Sequence, residues 1–139
     1  MGSLNWARVL GGGLLAGLVI NASEAVMNGV VLADQWAAVM RSMNKPAFSG
    51  GQIAVFNVLG FVMGIAVVWL YAAIRPRYGA GAKTAVYAAG AFWFAAYLLP
   101  SVGQITMDLF PLNLVLIGLV WGLAEVVVGT LLGAKVYKE

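Results

Sequence analysis

Four long apolar runs decide what this chain can fold into. A helix needs roughly 20 mostly apolar residues to cross a hydrocarbon core of about 30 Å, and four stretches meet that length. The first runs from about Val9 to Ala33, between Arg8 and Asp34. The second runs from about Ile53 to Ile74 and stops at Arg75-Pro76-Arg77. The third runs from about Thr84 to Pro100, and the fourth from about Leu112 to Ala134, before Lys135. Across the 139 residues 63% are apolar and 9% charged, whereas soluble domains sit near half and a quarter. In water such a chain would expose large apolar patches. The expectation is a single domain spanning residues 1–139: an all-α integral membrane fold, four transmembrane helices in an up-down bundle. The first run is read as a span and not a cleaved leader, because it continues past Asn21-Ala22-Ser23 to Ala33, too long for a signal core.

Absent residue types narrow the chemistry. The chain has no Cys and no His, which removes disulfides, thiolate nucleophiles, the usual zinc and haem ligands and the commonest general base. No Ser, His and acid set exists for hydrolysis, so an enzyme is not expected, and nothing implies a cofactor or a metal. A net charge of +3, with the basic residues at the ends of the apolar runs, gives no nucleic-acid surface. Orientation follows from Lys and Arg in the short loops. Arg8, Arg75, Arg77, Lys83, Lys135 and Lys138 lie on one side, and only Arg41 and Lys45 on the other. This places both termini in the cytoplasm, in a multi-pass protein of the cell inner (plasma) membrane.

The longest loop, Asp34 to Gln52, carries Trp36, Val39, Met40 and Met43 at helical spacing, opposed by Asp34, Arg41 and Asn44. That pattern predicts a short amphipathic helix in the outer interface, ended by Pro46. Ser49-Gly50-Gly51-Gln52 has the form of a capping box and predicts the start of the second span.

Glu24 and Glu125 are the anomalous residues, since an acidic side chain near a membrane helix centre costs about 2.5–3.5 kcal/mol. Each needs an interior, a water-filled cavity or a partner, and no Lys or Arg within the spans offers one. Gly17, Asn21, Glu24 and Asn28 share one face of the first helix, and Asn57 of the second helix is positioned to join them. On the fourth helix Gly118, Gly122, Gly129 and Gly133 line nearly the same face around Glu125. Gly13/Gly17 and Gly60/Gly64 repeat the small-xxx-small spacing on the first two helices. These spacings predict close helix packing with both acids turned inwards. Gly17-Leu18-Val19 before Glu24 also repeats as Gly118-Leu119-Val120 before Glu125, at the same offset, a likeness that biased membrane composition produces on its own. Phe92-Trp93-Phe94 with Tyr97 supplies lipid contact, packing or the wall of an apolar pocket.

Two resemblances attach to these residues. Leu123-Ala124-Glu125-Val126, followed by Gly129-Thr130, resembles the first-helix motif of small multidrug-resistance transporters, four-helix proteins whose membrane Glu binds protons or cationic drugs in exchange. The likeness is confined to this short stretch of the last helix and implies a role for Glu125 alone. Over most of its length the chain is similar to bacterial four-span proteins of undefined activity, with an acid-Asn-Gly pattern in the first helix and an Arg-Pro-Arg-Tyr-Gly turn after the second. Here those are Glu24, Asn28 and Gly29, then Arg75 to Gly79.

Three functions fit these features. One is a non-enzymatic scaffold or accessory subunit of a membrane assembly, as a homo-oligomer or within a larger complex in the lipid bilayer, for which the glycine-lined faces are suited. Another is a small proton- or cation-coupled transporter using Glu24 and Glu125. The third is a binder of an apolar ligand (lipid, quinone or pigment) held between helices by an acid or an Asn.

Overall fold

The structure is a computed structural model describing residues 4–137, so Lys138 of the basic tail lies outside the described residues. The described residues form five helical elements joined by short connections, with no strand among them. The helices α1 (Trp6–Val31), α3 (Gly50–Tyr78), α4 (Ala82–Thr106) and α5 (Leu112–Val136) are each long and apolar enough to cross a membrane. The short helix α2 (Ala33–Ser42) joins α1 to the loop before α3. Four such helices mark a membrane protein.

α3, α4 and α5 extend a few residues beyond their apolar runs, because the polar ends are also helical, while α1 starts three residues early and stops at Val31, two short of Ala33. At the start of α3 the capping box forms in full: Ser49 Oγ accepts from Gln52 N (3.2 Å) and Gln52 Oε1 accepts from Ser49 N (2.9 Å). Removing one such cap costs about 1 kcal/mol. Ser49→Ala is therefore expected to speed amide hydrogen exchange in the first turn of α3, with the exchange of residues 60–72 unchanged. The largest departure from the sequence reading is in α4, which runs to Thr106 instead of ending near Pro100. Proline has no N–H and its ring collides with the carbonyl four residues back. Here the turn at Phe94–Leu98 widens to a π-helix, in which Leu99 N donates to Phe94 O, and the helix continues through Pro100 instead of breaking. A second π-turn, Met27–Val31, ends α1.

Helix contacts follow the glycines whose spacing predicts packing, with one exception. A methyl group added at Gly13 would lie 2.5 Å from Ile65 Cα, and one at Gly17 2.7 Å from Phe61 Cα. On the other flank of α1, a methyl at Gly12 would sit 2.5 Å from Gly133 O and one at Gly129 3.2 Å from Ala16 O. Both seams step four residues forward along α1 and four back along the partner, about 6 Å per step. Gly122 makes room for the Tyr97 ring of α4. Gly118 is the exception, since nothing lies within 4 Å of where its side chain would be.

The two ends of the molecule differ. Near the basic residues Val9, Tyr71, Ala72, Ala85, Ala88 and Tyr137 form one buried cluster. In the middle Ala16, Val67, Val68, Ala89 and Val126 are fully enclosed. At the other end a smaller cluster of Met27, Leu32, Val39 and Leu114 holds α2 down, with Trp36 and Phe110 against it. Of the apolar face read for α2, Val39 and Met40 point inwards, Trp36 is half-buried and Met43 is exposed. Every residue from 50 to 59 is exposed, so the first turns of α3 stand clear of the other helices.

Candidate functional site

Helix register brings the two acids together. Continuing the α1–α5 seam from Gly12/Gly133 and Ala16/Gly129 by four residues at a time sets Glu125 level with Ile20, and Glu24 level with Trp121. The acids are then one turn apart along neighbouring helices, within reach of each other's side chains. Glu125 is 4% exposed, and its carboxyl lies against the Glu24 carboxyl and the Ser23 hydroxyl. Glu125 Oε1 accepts from the Tyr97 hydroxyl at 3.0 Å. Oε2 is buried and closes no well-formed hydrogen bond. The acid facing it is an acceptor like itself, and only a proton between the two carboxyls turns that contact into a hydrogen bond.

A chain of polar groups leads from this pair towards α2. Asn28 Nδ2 donates to Glu24 Oε2, and Asn28 Oδ1 accepts from Trp36 Nε1 at 2.8 Å. Trp121 Nε1 donates to Ser23 Oγ at 2.7 Å. Both Asn28 groups are thereby committed, which fixes the Glu24 carboxyl and ties it to the short helix. The α1 stripe splits at this point. Asn21 turns to α3, where its Nδ2 donates to the backbone carbonyl of Asn57 at 3.0 Å, while Glu24 and Asn28 turn to α5 and α2. Asn57 contributes that carbonyl, and its side chain lies on the exposed stretch of α3.

A cavity of about 320 Å³ opens at Glu24, while Glu125, bonded to the Tyr97 hydroxyl, is not part of its lining. Glu24, Met27 and Asn28 of α1, Trp36 of α2, Tyr97, Ser101 and Gln104 of α4, Phe110 of the last loop, and Leu114, Val115, Gly118, Leu119 and Trp121 of α5 line it. Of its aromatic lining, Trp36 meets Phe110 edge-on at 5.7 Å between ring centres, and a ring contact outside the lining runs on from Trp36 to Phe48 (6.2 Å) and Phe56 (5.8 Å). Gly118, whose missing side chain is not filled by another helix, widens this space.

The glycines at 13, 17, 60, 64, 122, 129 and 133 lie in helix contacts. Sequence reasoning missed Ser23, Ser101, Gln104 and Trp121 as members of the site and read Tyr97 as lipid contact, packing or a pocket wall, not as a partner of Glu125. The spacing of Tyr97, Ser101 and Gln104 at i, i+4 and i+7 was the available signal, hidden by ending the third span at Pro100. Among the described residues no three His, Cys, Asp or Glu gather as a metal centre would require. Comparison with known protein families, with curated proteins and with solved structures gives no match to this chain.

Proposed function

We propose that this chain is a small multi-pass protein of the cell inner membrane that binds an organic cation at the Glu24–Glu125 pair in exchange for a proton, as a proton- or cation-coupled transporter does. In this reading the spans run up-down with both termini in the cytoplasm, as the loop charges require, and α2 lies at the outer interface. The supporting observation is the meeting of two carboxyls next to an open, aromatic-walled cavity whose lining, among the described residues, holds no Lys or Arg. Two carboxylates in contact repel unless a proton or another cation sits between them, so a bound cation and the shared proton compete. Trp36, Tyr97, Phe110 and Trp121 offer ring faces suited to a weakly hydrated cation. By linkage, whatever binding does to the proton the proton does to binding, so affinity falls as pH falls.

The test uses tetraphenylphosphonium as probe with the protein in lipid nanodiscs. Wild type is expected to bind the probe and release protons into a pH-indicator solution. Glu24→Gln and Glu125→Gln are each expected to weaken binding at least about tenfold, ~1.4 kcal/mol, and to abolish proton release. Equal proton release from the Gln variants, or binding that ignores pH, overturns the reading.

One observation supports the scaffold reading instead. The exposed start of α3 carries the Asn57 amide at membrane depth, where a neighbouring helix rather than lipid satisfies such a group.

A further inference from the structure

The carboxyl pair is approached along one wall of the cavity. Tyr97, Ser101 and Gln104 follow one another on the same face of α4, and Glu24 and Asn28 do so on α1. The two polar rows face a common space of about 320 Å³, room for on the order of ten waters. Neither Ser101 Oγ nor the Gln104 amide hydrogen-bonds to another described residue, and neither is enclosed, since neither is among the buried side-chain atoms that lack a hydrogen bond. Polar groups left open in a cavity of that size bind water. Beyond the acids, towards the basic end, the same axis passes through the fully enclosed Ala16, Val67, Val68, Ala89 and Val126, where the one buried hydroxyl close by, that of Thr130, is spent on the Val126 carbonyl at 2.6 Å.

We infer that the Gln104–Ser101–Tyr97 row lines a water-filled half-channel, open only at the α2 end, through which protons and ligands reach Glu24 and Glu125. This rests on the proton-linked reading of the pair and adds its direction of access. Tyr97 ends the row at Glu125 Oε1, so its hydroxyl is the last group a proton passes. Gly118 sets the width of the path: a side chain there meets open cavity instead of backbone.

The absence of native Cys makes the test clean. Single thiols are placed in the full chain in lipid vesicles and exposed to a charged, membrane-impermeant methanethiosulfonate. Ser101→Cys and Gln104→Cys are expected to react at least tenfold faster than two controls. Val67→Cys is fully buried, and Val120→Cys is 73% exposed but faces the lipid, where a thiol does not ionise. Adding Gly118→Leu to either reactive thiol is expected to slow it to the control rate. Ser101→Cys and Gln104→Cys reacting no faster than Val120→Cys overturns the half-channel, and so does labelling that Gly118→Leu leaves unchanged. Silent thiols in a protein that still exchanges protons for tetraphenylphosphonium sink the path and spare the function. Fast thiols in a protein without that exchange leave the path standing and sink the function.

Discussion

Gly64→Leu is expected to separate α1 from α3 and to lower the stability of the fold by about 3 kcal/mol or more, towards and beyond the upper end of ordinary overpacking. A methyl at residue 64 would already lie 2.6 Å from Gly17 Cα and against Gly17 N and Gly13 O. These are backbone atoms of a packed helix, so no rotamer change relieves the collision, and the longer leucine reaches further into it. The helices must move apart and surrender the whole seam, including the Asn21 bond to the Asn57 carbonyl. Gly103→Leu is the matched control, since no atom lies within 4 Å of a side chain there, and its stability is expected to stay within about 0.5 kcal/mol of wild type. Unfolding in mixed micelles with increasing dodecyl sulfate measures both. A Gly64→Leu midpoint equal to wild type means that the α1–α3 seam does not hold the helices together.

Glu125→Leu is expected to eliminate proton-linked cation binding while shifting stability by no more than about 1 kcal/mol. Two effects oppose each other in the fold. The substitution leaves the Tyr97 hydroxyl without its acceptor, at a cost of about 1–3 kcal/mol, but it also removes a buried oxygen that has no partner. Exchanging a buried charged group for an apolar one of similar volume is often neutral or stabilising. Tyr97→Phe in the same chain removes the orphaned hydroxyl and is expected to restore what stability was lost. The same pair of measurements separates the scaffold from the transporter. If wild type shows no proton-linked binding and Glu125→Leu loses several kcal/mol or its oligomeric state, the carboxyl pair is structural glue.

Hydropathy alone reveals the four spans here, because solvation by lipid acts on every residue and leaves its mark at each position. Ser49 and Gln52 are equally legible, since a capping box is closed within four residues. The meeting of Glu24 with Glu125 is of another kind. Counting from flanking charges puts the two acids at different depths, and their contact depends on the register between α1 and α5. That register is fixed by which glycines face which backbone. Gly12 against Gly133 decides it, and Gly12 stands in a run of three glycines whose sequence does not say which one turns to α5. The row on α4 was hidden for a local reason: proline ordinarily ends a helix, and whether a wider turn lets it continue depends on the packing around Phe94–Leu98. Gly118 shares the spacing of the packing glycines, yet at its depth no backbone approaches.

The glycine seam between α1 and α5 also bears on how fast anything could cross. If the proposed site holds a solute, the helices ahead of it meet main chain against main chain at Gly12 and Gly133. Swinging a side chain aside opens nothing there. Onward passage demands that two whole helices part, a collective motion of microseconds to milliseconds. Turnover would then be governed by how often that joint opens, while occupancy would be governed by the acids above it.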